Sequence, residues 1–228
     1  MNDFRYEVKF VLDEVRLANF FSWMFVHTRC RKRYSNRVVN SIYLDDAEFS
    51  AIKDNLSGLP NRLKSRLRWY QEKTEVEAPE FVLEEKIRWG RLGKKNVVRL
   101  GAIKGNIETM PIAEVMDFLR YKLPFEHDLS LRHFSPALFV SYSRQYFEDT
   151  FGLRITIDDK ITFRSNFLTN RSLEKHRSVQ YQSKIAELKF HPRLKNTVKD
   201  IIRRLKISPV CHSKYLTGMA MFGRVNYL

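Results

Sequence analysis

The sequence predicts an α+β protein: an antiparallel sheet of about eight strands closed into a barrel, with helices packed outside it and a C-terminal helix. Three observations lead there. Strand-like stretches with period-two alternation recur along the whole 228-residue chain. Helical patterns are few and fall largely toward the two ends. The chain has only 8 glycines and no low-complexity linker, so nothing marks a domain boundary and residues 1–228 read as one domain. Hydrophobic residues make up 43% of the chain and aromatic residues 13%, enough for a sizeable core and too much for general disorder.

Taken in order, "RYEVKFVL" alternates as a strand. "DEVRLANFFSWMFVH" reads as a helix capped by Asp13, with Val15, Phe20 and Met24 turned to the core. "RVVNSIYLDD" is a strand. "NRLKSRLRWYQ" and "EFVLEEKIRW" are two strands joined by a polar loop containing Pro79, and "KKNVVRL" is a short strand or turn. "PIAEVMDFLRYKL" is a helix with Pro111 in its first turn. "ALFVSYSRQYFED" and "LRITIDDKITFR" form a hairpin with Gly152 in the turn. "IAELKF" is a strand, "RLKNTVKDIIRRLKI" an amphipathic helix through Leu194, Val198, Ile201, Ile202 and Leu205, and "SKYLTGMAMFG" a last helix opening at Ser213.

The formal net charge is +15, which points to anionic partners: nucleic acid, a membrane surface or phosphate-rich molecules. No apolar run approaches about 18 residues, so no transmembrane segment is expected. "MNDFRYEVKF" is charged and alternating, unlike a signal peptide. Cys30 and Cys211 fit neither a metal spacing nor a disulfide framework. The expected compartment is therefore the cytoplasm.

Side chains two residues apart share a strand face, and one face of each strand is charged. Arg5, Glu7 and Lys9 share a face, as do Lys64, Arg66 and Arg68. Glu84 and Lys86 follow, with Arg88 beyond; then Tyr142, Arg144 and Tyr146; Arg154, Thr156 and Asp158; and Glu187 with Lys189. The other faces are mostly apolar: Tyr6, Val8 and Phe10; Leu67 and Trp69; Ile155 and Ile157; Leu188 and Phe190. Any one such strand is ordinarily half-exposed to water. The set is different, because arginine predominates and "ExK" recurs three times (Glu7/Lys9, Glu84/Lys86, Glu187/Lys189). If helices cover the apolar faces, the charged faces line an interior, where like charges about 7 Å apart repel by about 2 kcal/mol at an effective dielectric near 20. Such an interior calls for a polyanion, since arginine forks match phosphate oxygens in pairs. Its carboxylates suit the divalent metal that accompanies phosphate chains.

These stretches carry a resemblance. "RYEVKF", "NSIYLDD", "KSRLRWY", "FVLEEK", "VSYSRQYF", "RITIDDKITF", "IAELKF" and "SKY" resemble, in order from residue 5 to 215, the VTC domain, the polyphosphate polymerase domain of the vacuolar transporter chaperone family. That family lies within the CYTH, or triphosphate tunnel metalloenzyme, superfamily. The resemblance implies an eight-stranded antiparallel tunnel barrel holding triphosphate or polyphosphate. By motif position it implies a catalytic basic lining of Lys9, Arg66, Arg68, Lys86, Arg144, Arg154 and Lys214. Glu187 would bind a divalent metal, Mn2+ or Mg2+. Lys64, Arg99, Tyr142 and Lys189 are further substrate-binding candidates, and Glu7, Glu84 and Asp158 candidate acidic lining. The eukaryotic relatives carry an SPX sensor and membrane helices. This chain shows neither, and a free-standing bacterial version is expected.

The function so implied is metal-dependent transfer of the γ-phosphate of ATP to a polyphosphate chain. The acceptor oxygen is already anionic, so positioning and charge neutralisation would supply most of the catalysis. No GxxxxGK[ST] loop is present. The same lining would suit a triphosphatase of the tunnel type, acting through an activated water, or a non-catalytic polyphosphate-binding sensor. "RCRKRYSNR" (29–37) reads as a charged solvated loop. It could also guide polyphosphate at a tunnel mouth or favour nucleic acid, a partner the chain is otherwise not expected to take. Asp45 and Asp46 suit either cap or metal duty. His27, His127, His133, His176, His191 and His212 show no metal spacing; His212, beside "SKY", could lie near the mouth.

Overall fold

A computed structural model describes residues 5–71, 79–89, 92–103, 107, 109–123, 133–165 and 177–225. In chain order the elements are β1 (Tyr6–Leu12), α1 (Glu14–His27), β2 (Arg31–Asp45), α2 (Ser50–Leu56), β3 (Asn61–Gln71), β4 (Glu80–Trp89), β5 (Leu92–Ala102), α3 (Ile112–Lys122), β6 (Ser135–Glu148), β7 (Arg154–Ser165), β8 (Ser178–Gln180), β9 (Lys184–Phe190), α4 (Lys195–Arg203) and α5 (Lys214–Met221). The strands form one nine-stranded sheet in the order β1-β9-β7-β6-β2-β3-β4-β5, with β8 added to β7. The expected α+β class with a strand-dominated sheet and a C-terminal helix is therefore present. Closure differs: β1 and β5 end the pairing order, and neither has a second strand partner among the described residues.

Several elements depart from the sequence reading. "KKNVVRL" belongs to a full strand, β5, paired with β4 over its length. The stretch read as a charged loop is largely strand, because β2 begins at Arg31. Charge does not prevent pairing when the side chains stay at the surface, and 31–36 are all exposed. The helix expected over "RLKNTVKDIIRRLKI" is shorter: a 3-10 turn at Pro192–Leu194 leads into α4, which stops at Arg203. Val15 lies outward at 72% exposure, while Phe20 and Met24 are buried as expected. Helix α2 was not foreseen. His127 and His176 lie outside the described residues.

The caps and turns have local causes. Asp13 accepts a hydrogen bond from the Arg16 amide at 2.7 Å and starts α1. Asp46 accepts from the Ser50 amide at 2.9 Å and so fixes the approach to α2. In the β6–β7 turn, Asp149 accepts from the amides of Phe151 and Leu153, and Gly152 takes a φ of 93° that a side chain would resist.

The chain divides into two compact units. One comprises residues 1–38, 142–161 and 180–213, the other 39–141, 162–179 and 214–228. Each has its own core. In the first, α1 and α4 cover one face of the strands, with Phe10, Phe20, Trp23, Ile155, Leu188 and Val198 buried together. In the second, α3 covers Leu67, Trp69, Phe81 and Leu83. These are the apolar faces that the alternation predicts, and in both units the strand-borne site residues stand on the opposite face, although buried Lys184 and Glu85 occupy apolar-face positions.

Candidate functional site

Every predicted site residue is described, and the set divides between the units. Glu7, Lys9, Tyr142, Arg144, Arg154, Asp158, Glu187 and Lys189 belong to the first; Lys64, Arg66, Arg68, Glu84, Lys86, Arg99 and Lys214 to the second.

In the first unit, register brings the charges together. β1 against β9 sets Lys9 opposite Glu187 and Glu7 opposite Lys189. β7 against β9 sets Thr156 opposite Glu187 and Arg154 opposite Lys189. Glu187, only 7% exposed, thus lies between two strands that supply its partners. Lys9 Nζ is 3.8 Å and Lys189 Nζ 3.5 Å from its carboxylate. Lys9 also donates to the His212 carbonyl at 3.0 Å, which places the backbone of His212 beside the site. Lys189 lies 3.4 Å from Glu7. Arg144 makes a two-point contact with Asp158, from Nε at 2.5 Å and Nη2 at 2.8 Å, and its guanidinium lies 5.1 Å from the Tyr142 ring centre. Burial works against the charge on Arg144, but Asp158 outweighs it and holds the pKa well above the usual arginine value. Arg154 is half-exposed and donates to Glu148 at 2.8 Å.

In the second unit the centre is Glu84. β3 against β4 sets Arg66 opposite Glu84 and Lys64 opposite Lys86. Arg66 Nη2 is 2.6 Å, Arg68 Nη1 3.4 Å and Lys95 Nζ 2.5 Å from the Glu84 carboxylate. Burial would raise the pKa of this acid; Arg66, Arg68 and Lys95 reverse that and hold it far below the usual carboxylate range. Lys95 is pushed down by its own burial, which Glu84 only partly offsets. Arg68 packs 5.0 Å from the Tyr70 ring centre. Arg66 also donates to the Tyr43 hydroxyl at 3.2 Å. Tyr43 stacks on Tyr215 with centres 4.8 Å apart, and Tyr215 donates to Asp45 at 2.7 Å. Asp45 is therefore a structural anchor: its other oxygen accepts from the amides of Asp46 and Ala51. Burial raises its pKa. Lys214 opens α5 and is half-buried. Arg99 is exposed and held by Glu80 at 2.7 Å.

The sequence reading passed over Lys95, Tyr43 and Tyr215. Lys95 sits in "KKNVVRL", whose role emerges only when the β4–β5 register is known. Among the described residues no three His, Cys, Asp or Glu side chains gather as a cation cage. A lone buried carboxylate such as Glu187 fits a cation shared with phosphate oxygens, a common arrangement for Mg2+. No helix among the described residues is long and apolar enough to cross a membrane.

The family model for the VTC domain matches residues 4–223. The chain belongs to the VTC domain family. No curated protein matches this VTC domain at a significant level. Solved structures share its fold. The PH1819 protein of Pyrococcus horikoshii OT3 is 16% identical with a TM-score of 0.53, covering 97% of this chain and 99% of its own. The Hippeastrum protein HpAC1, an adenylyl cyclase candidate described as having a dominant triphosphatase activity, is 12% identical with a TM-score of 0.59, covering 98% of each chain. A candidate adenylate cyclase of Vibrio parahaemolyticus is 11% identical with a TM-score of 0.52, covering 95% of this chain and 99% of its own. The fold is that of the CYTH-like tunnel proteins.

Proposed function

We propose that this VTC domain is a metal-dependent polyphosphate polymerase that transfers the γ-phosphoryl group of ATP to the end of a polyphosphate chain. The observation that carries this reading is Glu84, a buried carboxylate held by Arg66, Arg68 and Lys95, in the strands of the family's "SRLRWY" and "LEEK" motifs. Such a cluster offers guanidinium and ammonium groups to phosphate oxygens once the internal carboxylate gives way. In the other unit, Arg144, Lys9 and Lys189 would bind phosphate oxygens, and Glu187 would hold Mg2+ or Mn2+ against them. A metal bound there supplies charge neutralisation as the phosphoryl group moves. Lys64, Lys86, Arg154 and Lys214 add positive charge to their own units.

In the reaction, an anionic terminal oxygen of polyphosphate forms a bond to the γ-phosphorus and the β–γ bridge breaks, with ADP leaving. The nucleophile carries its charge already, so the chain's own residues need only bind, align and neutralise. The test is incubation of purified protein with ATP and Mn2+, resolving products on a gel. Polyphosphate ladders are expected. Free phosphate without polymer would indicate a triphosphatase, and neither product with Mg2+, Mn2+ or Co2+ a binding module; either result overturns the polymerase reading.

A further inference from the structure

The first unit contains a second feature that phosphate binding alone does not account for. Beside Lys189, on the charged strand face, lies a cavity of about 230 Å³ lined by Arg33, Tyr34, Tyr146, Glu148, Arg154 and Thr156, among others. Two of these residues are aromatic. Tyr34 is 48% exposed and meets Tyr146 edge to face, with ring centres 5.8 Å apart and planes at 88°. The guanidinium groups of Arg33 and Arg37 each lie 5.6 Å from the Tyr34 ring centre. Glu148 lies at the same cavity, 2.8 Å from Arg154 and 3.9 Å from Arg33.

Phosphate oxygens could use the tyrosine hydroxyls and the cations of this cavity, but they gain nothing from an aromatic π-face and are repelled by Glu148. A nucleobase gains from both. Its π-face stacks on an exposed aromatic ring or on a guanidinium plane, and an exocyclic amine can donate to a carboxylate. The cavity is smaller than the 300–1,000 Å³ or so of a pocket that encloses a drug-sized ligand, so it suits a flat ring system rather than a whole nucleotide. It also has a lead toward the phosphate groups: Lys189 lines the cavity and lies 3.5 Å from Glu187.

We propose that the Tyr34–Tyr146 cavity is a nucleobase subsite, which holds the base of a nucleoside triphosphate while its phosphates run toward Lys189 and Glu187. This rests on the reading of the protein as an ATP-using phosphotransferase. It adds a means of telling a nucleotide donor from a bare phosphate chain, since only the donor carries a base.

The experiment is calorimetric titration of wild type, Tyr34→Ala, Tyr34→Phe and Tyr146→Leu with ATP and, separately, with inorganic tripolyphosphate, all with Mg2+. Tyr34→Ala is expected to weaken ATP binding by roughly 5- to 150-fold, the range for losing one base stack, with tripolyphosphate affinity unchanged within about twofold. Tyr34→Phe keeps the ring and should keep the ATP affinity. Tyr146→Leu should lower ATP affinity in the same selective way, and serves if Tyr34→Ala fails to fold. Equal losses for ATP and tripolyphosphate, or no loss for either, would overturn the subsite. The outcome is separate from that of the polymerase assay. A protein that makes no polymer yet shows the selective ATP loss keeps the subsite and loses the polymerase; one that makes polymer with ATP binding indifferent to Tyr34 does the reverse.

Discussion

At the scale of single residues, two carboxylates make opposite predictions. Glu84 is a structural counter-ion as well as a site residue. Its folded-state pKa is depressed below the unfolded value of about 4.3, so it contributes stability above that pH, and the contribution is lost as pH falls below it. Asp45, whose pKa is raised, works in the other sense, so the two must be separated by mutation. Glu84→Gln should lower the melting temperature at pH 7, because removing one partner of a buried ion pair costs about 3–5 kcal/mol. The gap from wild type should narrow as pH drops from 6 toward 3; a gap constant across that range would refute this account of Glu84. Glu187 is predicted to matter for turnover rather than binding. Glu187→Gln keeps size and polarity but removes charge, so tripolyphosphate affinity by calorimetry should hold or rise while ATP turnover with Mn2+ collapses. A variant running at the wild-type rate would discard Glu187 as the metal residue. Arg66→Ala should weaken tripolyphosphate binding by about 1.5–3 kcal/mol, the worth of a charged hydrogen-bonding group; unchanged calorimetric affinity would remove Arg66 from the site.

At the scale of elements, α5 is held where it is by a missing side chain. A Cβ at Gly218 would lie 2.5 Å from Leu138 Cδ2 and 2.7 Å from Phe163 Cδ1. Both neighbours are buried, at 1% and 0% exposure, so neither can swing aside. Alanine at 218 would gain about 1 kcal/mol of helix propensity against an overpacking cost of about 1–3 kcal/mol. Net destabilisation is expected in a thermal melt, with a fall in tripolyphosphate affinity if the displaced helix carries Lys214 with it; a higher melting temperature would show that the site relaxes freely. This packing explains why "SKYLTGMAMFG" was readable as a helix while its contacts were not, since a sequence gives the period of an element and not its neighbour. The same limit runs through the site. The charged faces around Lys9, Arg66, Arg144 and Glu187 were legible because alternation alone assigns them. The convergence of Lys95 on Glu84 was not, because it depends on cross-strand register. Helix α2 has only seven residues, too few to show a period, and its start depends on Phe49 at a φ of 55°, a conformation that a bulky residue rarely adopts. The basic half of β2 was hidden for another reason: its strand character comes from pairing in the sheet, and its own side chains are solvated.

At the scale of the whole molecule, tripolyphosphate that binds only the folded chain should raise its thermal stability, by about 2.7 kcal/mol at a concentration 100 times the dissociation constant. Added salt should weaken that effect, because the +15 charge acts on an anionic ligand through a screened field. An absence of ligand-induced stabilisation at low salt would count against polyphosphate as the ligand. The ends of the sheet have a different consequence. Among the described residues β5 ends the strand order, with Lys94 exposed and Val97 at 52% exposure. An open strand edge is a template for self-association, and lysine is a common guard against it. Two copies joined edge to edge through this segment would bring ammonium groups close together, which disfavours the pairing. Lys94→Val leaves the Glu84 cluster intact and should raise light scattering during a thermal hold, while an unaltered scattering trace would show that the edge is protected by something else. A rise in scattering would make Lys94 the guard that keeps the β5 edge from assembling copies of this protein into fibres.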